Sequence, residues 1–337
     1  MRAGTLAARP SVPPVPMSRN EVLLAGLDLG GTKIGLSLGT REGVLLSAEQ
    51  LPTDPARDAA DLLGEAWGRL VRMADALERG APLALGVAAP GPLSYREGCL
   101  LEVPNMPRWQ HFPLQAWLAE HVPCPSAFMN DANAGVLAEA LWGAARGADT
   151  AVFLTMSTGM GAGLWIGGRV HEGTLALAGE VGHLRLAADG PVGFGKRGSV
   201  EGFCSGPGLV QLAASERLRL AQIGRSTRLA DIDALTPQDV CRLAAEGDVG
   251  ALAAVDRAAE ALGQLCAVLV DILNPDVIVL GTIGTAWFDL FEPRARRVLE
   301  AEALGPAARH VVIRPSGLPA RGDQAALAVA ARRLERA

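Results

Sequence analysis

Lysine is almost missing from this chain: of its 31 basic residues only Lys33 and Lys196 are lysines. The formal net charge is −5, so no basic field exists to hold nucleic acid. The five cysteines, Cys99, Cys124, Cys204, Cys241 and Cys266, are odd in number and scattered, and no C-x-x-C pair occurs. That excludes a disulfide framework and a cysteine-rich zinc site, and points to reduced thiols and a cytoplasmic protein. No apolar run reaches the length of about 18 residues that a membrane span needs, so no membrane partner is expected. The first twenty residues lack the apolar core of a signal peptide and carry four prolines. Residues 1–20 are expected to form a disordered tail, with Met17 an alternative start to Met1.

What is present is a large apolar fraction, 49% of 337 residues, enough for two medium α/β domains. The stretch Leu24–Leu38 reads as an apolar strand, a carboxylate (Asp28), the pair Gly30-Gly31, then Thr32-Lys33 and a second strand. Strand, two glycines, strand is a hairpin signal. Free backbone N–H groups in such a turn form an anion-binding nest, to which Thr32 and Lys33 add a hydroxyl and a cation. Asp28 stands where a nearby Mg²⁺ needs an oxygen ligand, directly or through water. A plain glycine hairpin with an edge aspartate is the alternative at this point.

The same design recurs. Thr150–Met156 is a strand that runs into Ser157-Thr158-Gly159-Met160-Gly161-Ala162-Gly163, and Leu164–Ile166 returns as a strand. Val277–Leu280 is a buried strand leading into a third glycine turn, Gly281-Thr282-Ile283-Gly284. Two phosphate-cradling hairpins in one chain suggest two similar domains facing one nucleotide. Between them, Pro82–Ala88 runs into the rigid turn Ala89-Pro90-Gly91-Pro92, and two prolines fix an extended loop around Asn105. The strand Ser126–Met129 ends at Asn130-Asp131, which opens onto a helix of small residues. Open α/β sheets place catalytic groups at such strand ends. Asp131 also has the sequence context of a helix N-cap, and both roles stay open.

In this order, L-D-L-G-G-T-K (27–33), A-P-G-P (89–92), V-P-N-M-P-R-W (103–109), N-D-A-N (130–133), S-T-G-M-G-A-G (157–163), E-V-G-H (180–183), G-x-x-G-S-V-E (195–201) and V-I-V-L-G (277–281) resemble the ROK family of sugar kinases and related repressors. The family belongs to the actin/hexokinase-like ATPase superfamily. The resemblance implies an α/β, two-domain actin/hexokinase-like (ribonuclease H-like) fold with an active-site cleft between domains. The domains expected are 21–131 and 132–319, with the closing helix 320–337 packing back on the first. It also implies a cytoplasmic homodimer.

The implied reaction is ATP-dependent phosphorylation of a hexose, with glucose the expected acceptor. N-acetylmannosamine, N-acetylglucosamine and fructose are alternatives, as is a sugar-sensing regulator without kinase activity. By the family's pattern Asp131 is the catalytic base. Asn105, Asn130, Glu180, His183 and Glu201 are the sugar ligands; amides, carboxylates and imidazole suit hydroxyls that both donate and accept. Asp28, Gly30, Gly31, Thr32, Lys33, Thr158, Gly159, Gly161, Gly281 and Thr282 would hold ATP, with Mg²⁺ carried in on the nucleotide and Asp28 in its outer shell. Repressors of the family carry an N-terminal helix-turn-helix domain, for which a twenty-residue tail is too short.

The chain departs from the family pattern in three places. Ser157 and Ala162 replace glycines in the second turn, and Ala162 then needs a negative φ. Thr282 replaces the second glycine of the third turn. The family's C-x-C-G-x-x-G-C-x-E zinc motif is here Val192-Gly193-Phe194-Gly195-Lys196-Arg197-Gly198-Ser199-Val200-Glu201, with all three thiolates gone. His183 and Cys204 leave at most two ligands, so no structural zinc is expected. Val192 and Phe194 are expected to pack inward instead, so that apolar burial fixes the loop carrying Glu201.

Overall fold

A computed structural model of the chain describes residues 22–103 and 106–335. The tail 1–20 and Asn105 lie outside the described residues.

The first half builds one sheet. Strands β1 (Leu24–Leu29), β2 (Lys33–Gly39) and β3 (Leu45–Pro52) form an antiparallel meander, followed by helix α1 (Ala59–Ala76). On α1, Leu62, Leu63, Ala66, Leu70 and Met73 recur at three- and four-residue spacing and are buried. Next come β4 (Ala84–Ala89), the small hairpin β5 (Leu93–Ser94) and β6 (Cys99–Leu100), α2 (Leu114–His121), β7 (Ser126–Asn130) and α3 (Asp131–Trp142). The sheet order is β3-β2-β1-β4-β7, with β4 parallel to both β1 and β7. Strands β1, β4 and β7 therefore point their C-terminal ends the same way, and those ends carry Asp28, Ala89 and Asn130.

The second half repeats the meander. Strands β8 (Thr150–Met156), β9 (Met160–Ile166) and β10 (Arg169–Val170) precede a two-residue ladder, β11 (Val192–Gly193) with β12 (Lys196–Arg197). Helices α4 (Val200–Cys204), α5 (Gly206–Gln222), α6 (Pro237–Ala245) and α7 (Val249–Leu273) follow. Then come β13 (Val277–Leu280), α8 (Thr282–Ala286), α9 (Phe288–Glu302), α10 (Gly305–His310), β14 (Val312–Pro315) and α11 (Arg321–Glu335). The sheet order is β10-β9-β8-β13-β14, with β13 parallel to β8 and β14. The core of this half is built on α7, whose Leu262, Leu265, Cys266 and Leu269 are buried.

The last helix returns to the first sheet. It lies across β1 and β4 and packs against α3. A Cβ on Gly86 of β4 would fall 2.1 Å from the carbonyl oxygen of Ala326, so the bare strand lets the helix backbone settle on the sheet. Alanines 325, 326, 328, 330 and 331 make the matching surface and are buried. This return brings the start of α11 to the same place as the ends of β1 and β7.

Candidate active site

The ends of β1 and β7, the β8–β9 turn and the starts of α8 and α11 surround a cavity of about 320 Å³ between the two sheets. Asp28, Asp131, Ser157, Thr282 and Arg321 line it.

The β1–β2 turn leaves Gly31, Thr32 and Lys33 exposed. The Gly30 N–H donates to the Lys33 carbonyl (3.1 Å), and the Thr53 hydroxyl at the end of β3 donates to the Gly30 carbonyl (2.7 Å). Thr53 thus pins the turn from outside the motif. Asp28 is enclosed by two glycines: a Cβ on Gly322 would stand 2.0 Å from its Oδ2, and one on Gly35 3.3 Å from its Cβ. Burial pushes the Asp28 carboxyl up to about 7; the charges of Asp131 and Asp323 act the same way and Lys33 opposes them.

At the β7–α3 junction the cap and the acid are different residues. Asn130 caps α3, its Oδ1 accepting from the N–H groups of Ala132 (3.0 Å) and Asn133 (3.4 Å). Asp131 is therefore not the N-cap. It takes the Ala132 N–H at 2.8 Å and a side-chain hydrogen bond from Asn130, and keeps an open face toward the cleft. The walls of the cleft nevertheless crowd the carboxyl with protein atoms. That enclosure raises the carboxyl to about 6, the Ala132 N–H lowers it, and the charge of Glu180 raises it again. Asn130 keeps its amide NH₂ free of the cap, on the side of Gly91.

The β8–β9 turn is tighter than the glycine spacing predicts. The Ser157 N–H donates to the Gly159 carbonyl (3.0 Å) and the ladder resumes at Met160. Gly161 therefore lies in β9, paired with Thr155, which corrects its expected place within the turn. Ala162 lies in β9 on extended backbone, so it needs no glycine. Thr158 is exposed at the tip. Glu201, in the first turn of α4, accepts from the Met160 N–H (3.1 Å) and braces the turn from behind. Glu180 and His183 flank a single 3₁₀ turn and are exposed at the cleft mouth.

In the third turn the two expected contacts separate. Gly281 is buried against Phe153 and the Leu154 carbonyl, whereas Thr282 faces the cavity. Thr282 has φ +46°, a left-handed conformation that a β-branched residue adopts only under strain.

The donor set of the 192–201 loop does not fit zinc. Val192 and Phe194 are 41% and 70% exposed, which corrects the expectation that they pack inward. The reason is the two-residue turn between β11 and β12: Phe194 and Gly195 have φ +47° and +73°, which swings the Phe194 side chain out of the ladder. The Ser199 hydroxyl is engaged in capping α4, at 3.1 Å from the Gly202 N–H. The Cys204 thiol faces the Ala258 carbonyl inside the core. The loop is held by polar contacts instead. Gln211 bonds both the N–H and the carbonyl of Val192 (2.9 Å each), and Lys196 Nζ donates to the His183 carbonyl (2.8 Å).

Three residues that carry no motif signal belong to the site. Tyr95, the chain's one tyrosine, accepts from the Asn130 N–H at 3.2 Å, and the Asn133 and Glu172 side chains act on its hydroxyl. Arg321 and Asp323 open α11; only their place in the Arg-Gly-Asp at the head of the closing helix marks them. Among the described residues no helix is long and apolar enough to cross a membrane.

The family model described as ROK family matches residues 24–331. The glucokinase of Halalkalibacterium halodurans is 31% identical over 294 residues, spanning 83% of this chain and 86% of that protein. A putative xylose repressor of Caldicellulosiruptor is 28% identical over 316 residues, spanning 90% of this chain and 76% of the relative. The crystal structure of a ROK family glucokinase from Streptomyces griseus in complex with glucose and AMPPNP superposes with a TM-score of 0.76 at 28% identity. That match covers 92% of this chain and 99% of the other.

Proposed function

The chain belongs to the ROK family, and on that premise we propose that it is a sugar kinase which transfers the γ-phosphoryl group of ATP to a hexose, with glucose as acceptor. The observation that carries the reading is the Asp131 carboxyl, not used as a helix cap, open to the cleft and raised to about 6. A group of that pKa is ionised at neutral pH and still basic enough to take a proton from a sugar hydroxyl in flight.

In this reading the sugar lies over Asp131, near Asn130, Glu180 and His183. Asp131 accepts the proton of the attacking hydroxyl as the oxygen closes on the γ-phosphorus, and ADP leaves. The exposed N–H groups at Gly31 and Thr158–Gly159 face the phosphate chain from the two sheets. Glu201 acts through the second turn, which it braces by the Met160 N–H. Asp28 suits a cation's outer shell: a carboxylate crowded by Asp131 and Asp323 gains from any positive charge placed nearby. Mg²⁺ arriving with ATP would supply that charge and neutralise the phosphate oxygens. The two sheets with their helices are read as two domains, 21–131 with the closing helix and 132–319. Closure between them would exclude water. We also propose a cytoplasmic homodimer.

The second reading, a sugar-sensing regulator without kinase activity, is favoured by the repressors among the relatives. A coupled ADP-release assay over glucose, N-acetylmannosamine, N-acetylglucosamine and fructose separates the two. Glucose-dependent ADP release supports the kinase; sugar binding without turnover of any member supports the regulator.

A further inference from the structure

We propose that Arg321 binds the phosphate chain of the nucleotide donor. The inference rests on the kinase reading above and adds to it a residue outside every glycine turn.

Arg321 opens α11 at the point where the chain returns from the second sheet to the first. Among the described residues it is the one basic side chain that lines the cavity it shares with Asp28, Asp131, Ser157 and Thr282. It is partly buried, and among the described residues its guanidinium makes no hydrogen bond and no ion pair. Half-buried arginine without a partner is costly, because five donors lose water and gain nothing.

The counter-charge that acts on it, Glu139, is already engaged. Its carboxylate accepts from the Ala144 N–H (2.7 Å), the Ser316 hydroxyl and the Gly317 N–H (3.3 Å), which fixes it to the β14–α11 loop. Burial accordingly lowers the Arg321 pKa, with Glu139 the one charge opposing. Asp28 and Asp131 line the same cavity and neither forms an ion pair with Arg321; Lys33 is the cation that acts on Asp28. The guanidinium thus shares the cavity with two carboxylates and pairs with neither.

A group that fills this cavity must offer an anion to Arg321 and tolerate the two carboxylates, through a cation or a protonated partner. A polyphosphate chain with its Mg²⁺ has that character. Its non-bridging oxygens match the planar guanidinium fork, which binds phosphate in bidentate fashion. Ser157 and Thr282 line the same cavity and carry hydroxyls that offer further donors.

The test is calorimetric titration of the full chain and of Arg321→Leu with ATP, AMP and glucose separately. Leucine suits a half-buried position. The variant is expected to bind ATP roughly 10- to 100-fold more weakly, the worth of one charge-assisted contact. AMP lacks the outer phosphates and should bind as in the wild type, as should glucose. Equal ATP affinity in the two proteins overturns the inference, and so does an equal loss for AMP and ATP, which would make Arg321 a contact of the nucleoside. Should Arg321→Leu fail to fold, phenylglyoxal labelling of the wild type decides, read at Arg321 by peptide mass. ATP should protect Arg321 and glucose should not; labelling unaffected by ATP overturns the inference. A wild type that binds no ATP at all overturns the kinase reading, and this inference with it.

Discussion

The Phe194 ring meets the His183 imidazole edge-on, with centroids 5.1 Å apart and planes at 78°. By the family pattern a thiolate at 194 and the imidazole would share a zinc ion; here two rings touch directly. The contact, with Lys196 holding the His183 carbonyl, ties the β11–β12 turn to the 3₁₀ turn at the cleft mouth. Ring pairs of this geometry are worth about 0.5–1.5 kcal/mol, far less than a closed metal site, so the loop relies on Gln211 and the α4 cap as well. Elemental analysis of the purified protein should show no stoichiometric zinc, and EDTA should leave the melting temperature unchanged. One tightly held zinc per chain would contradict this.

Asp131→Asn keeps the shape of the side chain and removes the proposed base. Turnover should fall by about 10²-fold or more, the usual worth of a general base, while glucose affinity measured by calorimetry stays close to wild type. With its carboxyl at about 6, Asp131 loses its proton-accepting form below that pH. The rate should therefore fall as pH drops through about 6 and be flat just above it. A profile with no acid limb near that value would place the base elsewhere.

Asp28 sets a stability dependence of the opposite sense. Its carboxyl moves from 3.8 to about 7 on folding, so the folded protein holds a proton that the unfolded chain releases. The contribution is fully present below 3.8 and is lost as pH rises through about 7. Asp28→Asn removes the ionisation. It should melt higher than wild type at pH above about 7, with the gap closing toward acid, and it should be poor at phosphoryl transfer. Thermal melts across that range check this; a gap that widens in acid would refute it.

Gly30 and Gly31 look equivalent in the motif and differ in the fold. A Cβ on Gly30 would fall 2.8 Å from the Lys33 carbonyl oxygen, whereas one on Gly31 would meet nothing within 4 Å. Gly31→Val should thus leave the melting temperature near wild type. It should block approach to the turn N–H groups, raising the KM for ATP with the KM for glucose little changed. Unaltered ATP binding by calorimetry would make the turn merely structural.

Both glycine hairpins, the strand end at Asn130-Asp131 and the closing helix were legible because each combines a local period with a turn residue that has few other uses. Less legible were features set by tertiary packing. Residues 288–315 fold into α9, α10 and β14, which hydropathy does not announce: Pro293 sits inside α9, and its buried residues are just Phe291, Ala295, Val298 and Leu299. Gly161 was misplaced because a ladder can resume within one residue of a tight turn. Phe194 faces out because two left-handed residues turn the hairpin, and nothing in an apolar side chain reveals its φ. Tyr95 and Arg321 reach the site across more than 30 and nearly 200 residues from Asp131, and only the fold brings such partners together.

The central claim is phosphoryl transfer from ATP to glucose, and ³¹P NMR of the protein with ATP, Mg²⁺ and glucose tests it most directly. The account expects the γ-phosphate signal to decay as a phosphomonoester at the glucose 6-position grows in step with ADP, and expects Asp131→Asn to slow that growth by about 10²-fold or more. Signals that stay unchanged, or that yield only inorganic phosphate, would contradict it.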